Sequence, residues 1–252
     1  MKANTRILTF ALLFSIATSA APYTLDVLPA EHKIIQDEGS GATLTFLTTD
    51  RADDTNLYFH ERSWSADSSF IIFNSSREQG GLMGYIVATS ELIRIVTPEG
   101  KGLGCATAAS FKPSSVYAIH ARDVYRIDIA VDTTTSPSTV NAIAKKLCTL
   151  PELEGPCSLN ENSDGTYLSI GGTLIKHMDG PGILKINTKT GKVSDVVRIP
   201  DHLEYQHHVQ WSRGNPHLMS FASAPPNCLQ VLDVRDGKIW SPYTQREGEL
   251  VV

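Results

Sequence analysis

The 252-residue chain has only four cysteines, no excess of basic charge, almost no helical periodicity and no apolar run long enough to cross a bilayer. Each shortage argues against a class of function. A net charge of -5 gives phosphate no attractive field, which argues against nucleic acid as a partner. The same balance exerts no global pull on an acidic polysaccharide, so such a ligand would need a local cationic patch or a bound metal ion. The sequence also lacks a Gly-x-Ser-x-Gly elbow, a Walker phosphate loop and a His-Glu-x-x-His pair, which weighs against serine hydrolases, nucleotide hydrolases and zincins. The cysteines match no zinc spacing, and the Asp-Gly pairs at Asp164, Asp179 and Asp236 are turn signals without calcium-loop spacing.

What is present begins with a leader-like N-terminus. Lys2 and Arg6 precede a mostly apolar stretch from Ile7 to Ile16, and Ala17, Thr18, Ser19, Ala20 and Ala21 follow. Charged, then apolar, then small is the order of a secretory signal peptide, expected over residues 1–21 of an exported protein, secreted or periplasmic. The remaining stretch of about 230 residues, 22–252, suits one all-β domain.

That domain repeats itself. A turn, an apolar strand, a short break and a second apolar strand recur from Trp64-Ser65-Ala66-Asp67, Phe111-Lys112-Pro113-Ser114, Asn162-Ser163-Asp164-Gly165 and Trp211-Ser212-Arg213-Gly214. A steady period of about 50 residues is the mark of a β-propeller, in which each repeat is one four-stranded blade. The first repeat supplies Phe70–Phe73, Gly84–Ala88 and Leu92–Val96; the second supplies Val116–His120 and Val124–Ile129, with an outer segment near Ala142–Leu147 that reads as strand or helix. The third supplies Tyr167–Ile170, Gly182–Ile186 and Val193–Ile199, and the fourth Leu218–Phe221 and Leu229–Val234. Ala42–Leu47 precedes them as a strand without a blade, expected to close the ring against the last one. Four copies fit a compact four-bladed ring or, preferably, part of a larger one, whose open strand edges would invite self-association. Cys148 and Cys157 flank the loop from Leu150 to Pro156 and are the disulfide candidate; Cys105 and Cys228 would then have to meet across the fold or remain thiols.

Two stretches resemble a known family. Leu44–Thr48, Asn56–Phe59 and Trp64–Asp67 are similar to the opening of the oligogalacturonate lyases, polysaccharide lyase family 22, as are His208–Ser212 and Asn215–Phe221 further on. The resemblance implies a seven-bladed propeller that binds a divalent metal, usually manganese, and cleaves short acidic pectin fragments by β-elimination. That reaction needs a base for the proton beside the uronate carboxylate and a cation for the enolate-like charge that develops. The family's catalytic arginine would follow the equivalent of Ser223-Ala224-Pro225-Pro226, where this chain reads Asn227-Cys228-Leu229-Gln230. Its catalytic histidine would follow a segment like Glu247–Val251, and its metal ligands belong to later blades. No catalytic residue is carried over.

Candidate residues therefore rest on residue chemistry and position. His207, His208 and Gln210 are the densest group of potential ligands, with His208 and Gln210 the candidates for a metal because imidazole nitrogen and amide oxygen suit one. Strand alternation predicts His208 and Gln210 on one face and His207 on the other. His60, Glu61 and Arg62 place a base, an acid and a cation together near the first blade. Arg77 is a candidate partner for a carboxylated sugar, or a salt-bridge residue. Asn74-Ser75-Ser76 fits a glycosylation acceptor, and His217 is expected to be exposed in a turn.

Overall fold

The computed structural model describes residues 21–77, 80–155, 158–225 and 228–242, and their regular structure is almost all antiparallel strand. The expected leader, apart from Ala21, lies outside these residues, as does Cys157 of the expected disulfide. The chain opens with β1 (Tyr23–Thr24) and β2 (Val27–Leu28), then a hairpin of β3 (Lys33–Gln36) and β4 (Thr43–Phe46). Four sheets follow. The first holds β5 (Asp54–Asn56), β6 (Phe70–Ser75), β7 (Gly81–Ile86) and β8 (Leu92–Ile95), and the second β9 (Gly104–Ala108), β10 (Ser115–His120), β11 (Asp123–Asp132) and β12 (Thr139–Thr149). The third holds β13 (Leu153–Glu154), β14 (Asn160–Glu161), β15 (Tyr167–Ile175), β16 (Gly180–Asn187) and β17 (Val193–Arg198), and the fourth β18 (Gln210–Trp211), β19 (Leu218–Ala222), β20 (Leu229–Asp233) and β21 (Lys238–Trp240). This is the blade plan of a β-propeller.

Alternation along each strand explains why the sheets stack. In β10, Val116 and Ala118 face the first sheet while Tyr117 and Ile119 face the third, all of them buried. In the third sheet, Leu168, Ile170, Leu184 and Ile186 turn toward the second, and Ile183 toward the fourth. Three apolar interfaces thus join sheets one to two, two to three and three to four. No apolar cluster of the described residues joins the fourth sheet to the first. The outer face of the first sheet instead packs Phe73, Met83 and Tyr85 against Leu28 and Leu47 from the N-terminal segment.

One open reading is settled and one expectation is corrected. The segment near Ala142–Leu147 is strand: β12 pairs with β11 over ten positions, and its alternating Val140, Ala142 and Ala144 are buried against the first sheet. β4 does not close a ring; it pairs with β3 alone, leaving Ile34, Leu44 and Phe46 exposed. The N-terminal edge pairing falls to β1 and β2 instead, which add to β12 and β8 respectively. Two-residue strands carry too little pattern to be read from sequence.

The repeated turns also tie neighbouring blades. Asp67 accepts hydrogen bonds from Ser65 Oγ (2.8 Å) and from Ser69 backbone N (3.1 Å) and Oγ (2.7 Å), and also from Ser114 Oγ in the next repeat's turn. Burial works to raise its pKa, but these donors hold the carboxyl down at about 2. In the third turn Gly165 lies against Phe111 of the second at a φ of 72°, a left-handed conformation that glycine adopts without strain.

Candidate functional site

The inner strands and the loops that enter them converge on the axis, where they enclose two cavities. One, of about 570 Å³, is lined by Arg62, Thr107, Ser110, Glu161, Gln210 and Arg213 among others; the second, of about 660 Å³, by Tyr58, Phe59, Glu61, Ser158, Tyr205, His207 and His208 among others. His60 lines both.

The wall between them is fixed by a residue that the sequence did not single out. Asn160, buried in β14, donates through Nδ2 to the His60 backbone oxygen (3.1 Å) and accepts at Oδ1 from the Trp211 backbone N–H (2.9 Å). One side chain thereby ties blades one, three and four. Its only sequence signal is position: it stands two residues before the repeat turn at Asn162.

In the first cavity, Arg62 and Arg213 are exposed, and neither has an ion-pair partner among the described residues. Two free guanidinium groups at one axial mouth are the local cationic patch that an acidic ligand requires. Glu161 sits beside them. Its Oε2 accepts from the Ser110 backbone N–H at 2.6 Å while Oε1 is buried without a partner, and burial pushes its pKa above the usual carboxylate range despite nearby Arg62 and Lys112. Glu161 was not among the expected site residues, since a lone Glu before a turn ordinarily reads as surface.

The second cavity is aromatic and histidine-rich. The Tyr58 and His208 rings stack with centroids 5.2 Å apart and 22° between planes, and His60 meets His208 edge-on at 6.1 Å. His60 Nε2 is 3.0 Å from Ser158 Oγ. The Nδ1 atoms of His60, His207 and His208 are all buried without a hydrogen-bond partner among the described residues. A buried polar group left unpaired costs about 1–3 kcal/mol, so three in one cavity are unusual. Burial, and then the charge of His208, hold the His60 and His207 pKa values below the ordinary imidazole range, so both rings remain neutral at neutral pH. Burial also raises that of Glu61.

The expected alternation around His207 is overturned. His207 and His208 have φ of 76° and 59°, in the left-handed region, so they precede the extended chain instead of belonging to it. Both histidines therefore line one cavity while Gln210, in β18, lines the other. For Arg77 the salt-bridge reading holds. Its guanidinium pairs with Glu31 Oε2 (2.8 Å) and Asp54 Oδ2 (2.9 Å), largely out of water, and it lines neither cavity. His217 is exposed, and Asn74 is a strand residue of β6 lining the histidine cavity. Cys228 is an exposed thiol, so it is not bonded to Cys105.

A metal does not fit. Among the described residues no group of three or more His, Cys, Asp or Glu side chains could hold one, and the two candidate ligands, His208 and Gln210, open into different cavities.

Fold and axial site together define a β-propeller with its polar groups gathered at the axis, and comparison with known proteins agrees on the class. The sequence matches no protein-family model and no curated protein. Among solved structures it is similar to an oligogalacturonate lyase in complex with manganese (TM-score 0.69, 15% identity, covering 89% of this chain and 62% of that one). It is also similar to the oligogalacturonate lyase of Vibrio parahaemolyticus (TM-score 0.70, 13% identity, 90% and 62%). TolB from Acinetobacter baumannii is more distant, with TM-score 0.50, 14% identity, and 86% and 51% covered. At these identities the likeness is one of fold, and the chain spans 62% of the length of either lyase.

Proposed function

We propose that this exported propeller binds a short acidic oligosaccharide at its axis and cleaves it by β-elimination. The observation that carries this reading is the pair of unpaired guanidinium groups, Arg62 and Arg213, opening with His60 onto one cavity of a lyase-like fold. In the elimination, neutral His60 accepts the proton from the carbon beside the uronate carboxylate. The electron pair left behind forms the carbon–carbon double bond as the glycosidic carbon–oxygen bond breaks. Glu161, kept protonated by burial to a higher pH than an ordinary carboxyl, supplies the proton to the departing oxygen. Arg62 and Arg213 hold the carboxylate and spread the charge that builds on it.

A second reading, a propeller that binds the oligosaccharide without cleaving it, is favoured by the lack of arginine in β20, which reads Leu229-Gln230-Val231-Leu232-Asp233. One experiment addresses both. Oligogalacturonate is added to the folded protein while calorimetry follows binding and ultraviolet absorbance follows the unsaturated product. Product that disappears in His60→Ala supports elimination, and binding without product supports the second reading. Absence of binding refutes both.

A further inference from the structure

We infer that the histidine-rich axial cavity is a binding site for an uncharged sugar ring, stacked on Tyr58 and Phe59 and hydrogen-bonded by the histidines that line it. Four observations point to that chemistry. Phe59 is 75% exposed and its ring centroid lies 4.7 Å from that of Tyr58, which is itself 46% exposed, so the two rings form an open apolar platform at the rim. Such a platform is the usual partner of the C–H face of a pyranose.

Behind the platform, the Nδ1 atoms of His60, His207 and His208 are buried without partners, and the His60 residue as a whole is 5% exposed. An imidazole nitrogen is donor or acceptor according to its tautomer, and a hydroxyl can be either, so a polyhydroxyl ring suits a histidine-lined wall whichever way the rings are protonated. Among the described residues no Arg or Lys lines this cavity, and its only carboxyl side chain is Glu61, so these residues offer a uronate no counter-charge. At about 660 Å³ it has room for a sugar residue. Gly171 lets the Tyr205 hydroxyl pack close against the backbone of this cavity's wall, because a Cβ at that position would overlap it. His60 is common to both cavities, whereas Phe59 and His208 line only this one and Arg213 only the other.

The test uses the whole chain and a panel of neutral methyl pyranosides, read by saturation-transfer NMR and calorimetry, with galacturonate run in parallel. The expected result is millimolar or tighter binding of at least one neutral pyranoside, weakened about ten-fold or more by Phe59→Ala and by His208→Ala and unchanged by Arg213→Ala. Phe59 is exposed, so its alanine variant folds, and circular dichroism checks His208→Ala. The inference is overturned if no neutral pyranoside binds the folded wild type, or if binding survives Phe59→Ala and His208→Ala. Neutral-sugar binding that falls with Arg213→Ala but not with Phe59→Ala also overturns it. Galacturonate binding that depends on Arg62 and Arg213 reports on the other cavity, so either reading can fail alone.

Discussion

Two cavities built from the same four blades differ in kind: Arg62 and Arg213 line one, and no basic side chain but histidine lines the other. The difference follows from phase within the repeat. Residues at the entry to each inner strand, such as 56–61 and 205–209, line the histidine cavity, while those just before and within the following turn, such as 62, 160–163 and 210–213, line the cationic one. A strand rises about 3.3 Å per residue, so a shift of four positions moves a side chain from one end of the axis to the other. Position in the repeat thus decides which ligand a residue can meet.

Four measurements would break or sharpen that contrast. The largest effect is expected at the rim, where Arg77→Ala leaves the mostly buried Asp54 carboxylate unpaired, while Glu31 keeps its bonds from the Thr49 and Asp50 backbone N–H groups; denaturant unfolding should show a loss of about 3 kcal/mol with both affinities unchanged. If either affinity moves, the rim and the axis are coupled. Next, the double change of Arg62 and Arg213 to alanine should weaken acidic oligosaccharide about a hundred-fold, roughly 3 kcal/mol by calorimetry, while leaving neutral sugars alone.

Gly171→Ala is expected to cost about 1–3 kcal/mol by overpacking, and to disturb only the histidine cavity through Tyr205. Equal losses at both cavities would mean that they are one. The smallest effect is on pH. Unfolded histidine takes up its proton near pH 6.5, and the folded His60 and His207 do so lower. Between those values the unfolded chain holds more protons, so stability is full above about 6.5 and falls as acid is added. Thermal unfolding across this range should show the decline, and His60→Gln should flatten part of it.

Much of this architecture was legible in the residues. The turns at Trp64, Phe111, Asn162 and Trp211 each lead into an observed second strand, because alternating apolar residues between turn formers leave little freedom of register. The site was half legible. His60, Arg62, His207, His208 and Gln210 do reach the axis, but which cavity each one lines depends on the left-handed backbone at 207 and 208, and histidine carries no local signal for that. Asn160 and Glu161 escaped notice because their importance lies in contacts to other blades. The salt-bridge reading of Arg77 holds, but its partners were not legible because they stand far away in the chain, at Glu31 and close to the first blade's start at Asp54.

The N-terminal strands carry one more consequence, for the order of folding. Tyr23 pairs with Ala142, and Val27 with Ile93, so these early residues must wait for partners synthesised well after them. Until β12 exists, β1 has no edge to join, and closing so long a loop is slow. During that interval the outer edges of both early blades stand open to any neighbouring chain. Late docking of residues 23–28 therefore acts as a clasp, and trimming them should send folding toward aggregates before it harms the finished protein.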